Sequence, residues 1–126
     1  MSKKWISPTT VLAGILYYLN RTEFPHDQKP FHKVICDHRD EFSILEKFPC
    51  DRTGMFPWSD TVEEAFSNLF AGGSLSSLSN VKGSKYVKDP SLNTYFRGRI
   101  REKEFTNEQL ADLSRIAVLV EKELDK

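Results

Sequence analysis

Lys85-Tyr86-Val87-Lys88-Asp89-Pro90-Ser91-Leu92-Asn93-Thr94-Tyr95-Phe96-Arg97-Gly98-Arg99-Ile100-Arg101 is the stretch on which the fold assignment turns. Its first four residues make a short β-prone run, and Asp89-Pro90-Ser91-Leu92-Asn93 has the composition of a turn. Residues 94–101 then alternate, with Phe96, Gly98 and Ile100 on one side and Tyr95, Arg97, Arg99 and Arg101 on the other. A period of two over that length predicts a half-buried strand. The two runs are expected to pair as a β-hairpin whose outer face carries three guanidinium groups about 6.5–7 Å apart.

On the C-terminal side, Thr106 and Gln109 have the spacing of a capping box, and Phe105 with Leu110 that of a hydrophobic staple. Leu110, Leu113, Ala117, Val120 and Leu124 step by three and four, which predicts a long helix, and Ile116, Val118 and Leu119 widen its stripe. On the N-terminal side, Ser59 or Asp60 starts a helix, with Asp60 and Glu63 at capping-box spacing. Val62, Ala65, Phe66, Leu69 and Phe70 form its apolar face, and Gly72-Gly73 stops it. Leu75 and Leu78 sit in a Ser-rich connector over residues 74–84.

Farther upstream, Ser7-Pro8 is a cap followed by a proline suited to the first helical position. Val11, Leu12, Ile15, Leu16 and Leu19 follow at helical spacing, and residues 23–30 read as a polar loop. Pro30 opens a second helix running to about Asp40, with Phe31, Val34, Ile35 and His38 inward. Residues 41–48 fit a short helix or an irregular apolar segment equally well. Residues 48–58 read as a loop whose Phe56 and Trp58 fold back onto the core. The apolar run 11–19 is too short to span a bilayer, which takes about 20 residues. Lys3 and Lys4 imitate a signal-peptide start, but no small-x-small cleavage site follows Leu19, so the run reads as a mature helix.

The 18 Lys and Arg balance 18 Asp and Glu, so net charge gives no pull toward nucleic acid or an anionic membrane. The signs are nevertheless segregated. Residues 37–81 carry three basic groups against eight acidic ones, and residues 82–104 seven against three. The basic segment makes Lys85, Lys88, Tyr95, Arg97, Arg99 and Arg101 the candidate partner- or nucleic-acid-binding set: the cations suit phosphates and Tyr95 suits base stacking. Asp60, Glu63 and Glu64 in the first turn of the preceding helix argue against DNA, because phosphates repel them.

Other chemistry is weak. His32 and Cys36 share a helix face with Cys50 distant, which lacks the paired spacings of a zinc module, so no metal or other cofactor is expected. Cys36 and His38, two apart on a helix, point about 200° from each other and do not make a thiol–base pair. Asp37 and Glu41 share a solvated face. No nucleophile, base and oxyanion donor come together, so an enzyme is not expected. Two cysteines make no disulfide framework, and a reducing cytoplasm is the expected location.

The fold expected is one α+β, mainly helical, winged-helix-like domain over residues 1–126, with helices followed by a β-hairpin and a C-terminal helix. The stretch Asn68-Leu69-Phe70-Ala71-Gly72-Gly73-Ser74-Leu75 followed by Lys85-Tyr86-Val87-Lys88 resembles the third helix and wing of small bacterial winged-helix proteins. With Phe31-His32-Lys33 early and Phe105-Thr106-Asn107-Glu108-Gln109-Leu110 late, the chain is similar to the bacterial SocA/Panacea-type antitoxin domain. That resemblance implies a non-catalytic regulatory or adaptor module that binds a partner protein; it assigns no residue a role. The alternative is a DNA-binding winged-helix regulator using the basic hairpin. The apolar stripe over residues 106–125 reads first as core and second as a surface for a homodimer.

Overall fold

The computed structural model describes residues 6–80 and 83–126; Lys3 and Lys4, with their signal-like pattern, lie outside them, as do Val81 and Lys82 of the Ser-rich connector. The fold is α+β and mainly helical. In chain order the elements are α1 (Pro8–Tyr18), β1 (Glu23–Pro25), α2 (Lys29–Asp37), a 3-10 turn (Ser43–Leu45), α3 (Asp60–Ala71), β2 (Leu75–Asn80), β3 (Gly83–Lys88), α4 (Pro90–Arg101) and α5 (Asn107–Leu124).

α1 is the hub. Every residue from Thr10 to Leu16 is buried, as befits a helix apolar all round. α3, α4 and α5 all pack on it, and α2 packs on α5. Ser7 Oγ accepts the Thr10 N–H at 3.1 Å, the cap read from the sequence. Gly14 allows the closest approach: a Cβ there would stand 2.7 Å from a Phe96 ring carbon and 2.8 Å from a Leu113 methyl. α5 keeps its expected capping box between Thr106 and Gln109. Its Leu113, Ile116, Ala117 and Val120 are spent on the core, while Val118 is exposed.

The hairpin differs from expectation. Residues 85–88 are a strand, but their antiparallel partner is β2 on the N-terminal side, in register from Leu75 opposite Lys88 to Asn80 opposite Gly83. β1 pairs with the other edge of β3, giving the sheet order β1-β3-β2, so part of the expected 23–30 loop is a strand. Residues 94–101 are not a strand; they lie in α4. Asp89 Oδ2 accepts the Ser91 N–H at 2.8 Å, so Asp89-Pro90 is a helix cap and first residue rather than a turn. Leu92 and Phe96 are buried and Ile100 packs on the core, a helical i, i+4, i+8 stripe that also alternates when only 96, 98 and 100 are read.

Smaller corrections follow the same logic. Ser59, not Asp60, caps α3, so Glu63 falls one position beyond a capping box. α3 ends in a Schellman motif, with Gly73 at φ 83°, Ser74 N–H on Leu69 O and Gly73 N–H on Phe70 O. Phe70 is 48% exposed, outside the expected core face. α2 ends at Asp37, with half-buried His38 as its cap and His32 wholly buried instead. In residues 41–48, Phe42, Ile44, Leu45 and Phe48 all reach the core around the 3-10 turn.

Candidate partner-binding surface

With α4 a helix, the basic set loses its row. A helix advances about 100° per residue, so Arg99 turns away from Arg97 and Arg101. Arg97 Nε donates to Tyr17 Oη at 3.1 Å. Arg99 lies over the Tyr95 ring and pairs with Glu104 at 3.0 Å. The Tyr95 hydroxyl is hydrogen-bonded to Thr10 Oγ1 at 2.7 Å, which ties α4 to α1 rather than offering a ring for stacking. Lys85 faces Glu23 at 3.5 Å. Lys88 Nζ donates to the carbonyls of Leu16 and Leu19 at 2.8 and 2.9 Å, closing the C-terminal end of α1. Burial lowers the Lys88 pKa, with Glu121 opposing. Arg101 alone of the six is exposed without such a tie among the described residues. The set comes together as internal fastenings, not as a phosphate ladder.

The thiol and metal candidates are likewise resolved. Cys36 and Cys50, expected to make no disulfide framework and to sit in a reducing cytoplasm, are joined as a disulfide, and such bonds belong to oxidising surroundings. Cysteine usage therefore no longer argues for a reducing compartment. Among the described residues no group of three or more His, Cys, Asp or Glu side chains is placed to hold a metal ion. No helix among them is long and apolar enough to cross a membrane.

That disulfide anchors to α2 the start of the most distinctive surface feature, the loop over residues 50–58. Its neck is a two-way backbone bridge: Asp51 N–H to Trp58 O at 2.7 Å, and Trp58 N–H to Asp51 O at 3.0 Å. Asp51 Oδ1 accepts both the N–H and the hydroxyl of Thr53 at 2.8 and 2.7 Å, and these bonds hold its carboxyl below the usual range. Arg52 reaches back to α2, donating to Cys36 O at 2.7 Å and pairing with Asp37.

The base of the loop rests on His32. The Trp58 ring stacks on the imidazole at 3.7 Å with 9° between planes. His32 Nδ1 accepts the Ser59 N–H at 2.9 Å at the start of α3. Nε2 therefore carries the proton and donates to Gln28 Oε1, 3.1 Å away. Gln28 Nε2 in turn donates to Tyr86 Oη, linking the loop base to the sheet. Burial drives the His32 pKa down to about 4, against the pull of Asp60 and Asp27.

What this scaffold presents is apolar. Met55 is 100% exposed at the tip, and Phe56 is 40% exposed beneath the Lys29 ammonium and edge-on to Trp58. The expectation that Phe56 folds back onto the core is therefore only half met. Beside Phe56 opens a cleft of about 350 Å³ with Pro25, Pro30 and Leu124 in its walls, and Lys33 and Glu123 paired at its rim. Sequence reasoning named Phe56 and Trp58 but passed over Met55, whose position after Gly54 in a polar loop was the available signal.

The chain matches no family model, no curated protein and no solved structure. The surface must be read on its own chemistry. Its thiols are joined to each other, and His32 is stacked on Trp58 with its pKa lowered to about 4. It does offer apolar side chains held out to solvent by a closed, cross-linked loop.

Proposed function

We propose that this chain is a winged-helix-like regulatory or adaptor module without catalysis, which works by binding another protein through the 50–58 loop. The observation that carries the reading is Met55 and Phe56 standing exposed on a loop fixed by a disulfide, a backbone bridge and the Trp58–His32 stack. Apolar and aromatic anchors dominate binding energy at protein interfaces. A loop already locked in shape loses little conformational entropy when it docks. Partner binding is also the kind of work that the resemblance to antitoxin-type domains implies. The adjoining cleft, walled by two prolines, Phe56 and Leu124, extends the apolar area beyond a single side chain.

The test is affinity capture with the oxidised full chain, comparing the native sequence with Met55→Ser/Phe56→Ser and with Arg97→Ala/Arg101→Ala. A specific partner is expected with the native chain and the arginine variant. Its affinity for the loop variant should fall roughly a hundredfold, the loss of about 3 kcal/mol typical of anchor truncation. Equal capture by the loop variant would remove this surface from the account. Loss in the arginine variant alone would return the function to α4.

A further inference from the structure

The sheet has two unlike edges. β1 is short, ends in Pro25, and carries Glu23 paired with Lys85, which are ordinary protections against strand addition. β2 has none of them. Leu75-Ser76-Ser77-Leu78-Ser79-Asn80 contains no charge and no proline, and its ladder with β3 runs without a bulge. The direction of its backbone groups follows from the hydrogen bonds at the ladder's end. Asp89 N–H reaches Ser74 O at 3.0 Å, so Ser74, Ser76, Leu78 and Asn80 face β3. Leu75, Ser77 and Ser79 therefore turn their N–H and C=O groups outward. Those of Ser77 and Ser79 have no partner among the described residues, and both residues are exposed. Between them, Leu78 lies 46% exposed on the outer sheet face.

We infer that the free edge of β2 pairs antiparallel with the same edge of a second copy of this chain, about a two-fold axis passing beside Leu78. This surface is separate from the 50–58 loop. In that register Ser77 of one copy faces Ser79 of the other and exchanges both N–H···O=C bonds with it, and the two-fold repeats the pair. The outward groups are thereby satisfied with none left over between them. Leu78 falls directly opposite its own counterpart in a non-hydrogen-bonded position, where facing Cβ atoms stand about 4.5–5.5 Å apart. The exposed leucine is thus covered by an apolar side chain.

A second copy suits this edge because nothing on it repels itself. Among the described residues of the sheet, the nearest cations, Lys85 of each copy, sit on β3, three strand spacings or about 14 Å apart, where salt screens them. Each is also paired with its own Glu23. The sheet would grow from three strands to six, and the closed two-fold contact stops further addition at that edge.

Sedimentation equilibrium of the oxidised full chain, from about 10 μM to about 1 mM, tests this directly. The mass should rise from 14.6 kDa toward twice that value. Leu78→Lys places like charges face to face and should weaken association at least tenfold. Ser77→Pro removes outward N–H donors without touching a bond to β3, and should do the same. Val118→Lys, on the exposed face of α5, should leave association unchanged. A native chain that stays at 14.6 kDa throughout, including one whose edge instead accepts an extended peptide, overturns the inference. So does a dimer indifferent to Leu78→Lys, or one lost in Val118→Lys. Far-UV circular dichroism checks that each variant is folded, and Leu78→Lys, a surface change, suffices if Ser77→Pro is not.

Discussion

At the scale of single residues, His32 is where the physics is most specific. Its ring is sealed between Trp58 and the core, and its Nδ1 already receives a donor, so a proton there would set two N–H groups against each other. The folded pKa of about 4 lies below the ordinary 6.5, so between those values the unfolded chain binds the proton more tightly. The stabilisation is therefore complete above pH 6.5 and is lost as pH falls toward 4. Linkage makes the loss about 2 kcal/mol at pH 5 and about 3 kcal/mol once pH is well below 4. The His32 ring resonances followed by NMR should titrate near pH 4, and urea midpoints should fall over the same window. A ring midpoint near 6.5 would mean that the imidazole is not enclosed as described. Trp58 stacks on this ring, so the same protonation loosens the base of the 50–58 loop. At the end of α4, Lys103 sits at φ 58° in a Schellman turn usually reserved for glycine, a second residue whose backbone is dictated by its neighbours.

At the scale of elements, what the sequence makes legible depends on whether a helix announces both its ends and its stripe. α1, α3 and α5 do so: Ser7-Pro8, Ser59 and Thr106 with Gln109 mark their starts, and the buried residues of α3 and α5 recur by three and four, while those of α1 run unbroken from Thr10 to Leu16. α4 announces itself less clearly. A window that begins at Thr94 omits Leu92, and without Leu92 the remaining pattern of Phe96, Gly98 and Ile100 is a strand's. β2 is harder still, because four of its six residues are Ser or Asn, with little strand preference of their own. Its strand comes from the ladder with β3, a tertiary cause that a local reading misses. The one-sided row expected of Arg97, Arg99 and Arg101 is lost with α4, since it depended on a period of two. The packing that decides the matter is testable at Gly14, where α1, α4 and α5 meet. Gly14→Ala should destabilise the fold by about 1–3 kcal/mol through overpacking against Phe96 and Leu113, despite alanine's better helix propensity. Thermal and denaturant melts would show it. A neutral or stabilised variant would show that the three helices are not in such close contact there.

At the scale of the molecule, distant segments are tied by few and identifiable fastenings. Arg21 and the Asn20 backbone hold Glu121, and Arg21 also holds Asp125, so the end of α1 is clamped to the end of α5. Lys88 joins the sheet to the same end of α1. The Cys36–Cys50 bond is of another kind, because it acts on the unfolded chain as much as on the folded one. It closes a separation of 14 residues, and the chain-entropy argument assigns such a loop about 3 kcal/mol. Its exposed consequence lies just beyond it, at Met55 and Phe56, whose display depends on a link the local sequence does not reveal. Reduction with dithiothreitol should therefore lower the unfolding free energy by about 3 kcal/mol and leave the helical circular dichroism in place. Hydrogen exchange should quicken around residues 50–58 while α1 and α5 stay protected, because their contacts do not pass through the bond. Partner capture should weaken in parallel, since an unpinned loop must be ordered at the moment of docking. Two free thiols by intact mass in protein prepared without reductant, or melts unmoved by reduction, would show that the loop owes its shape to the Asp51–Trp58 bridge and the His32 stack alone.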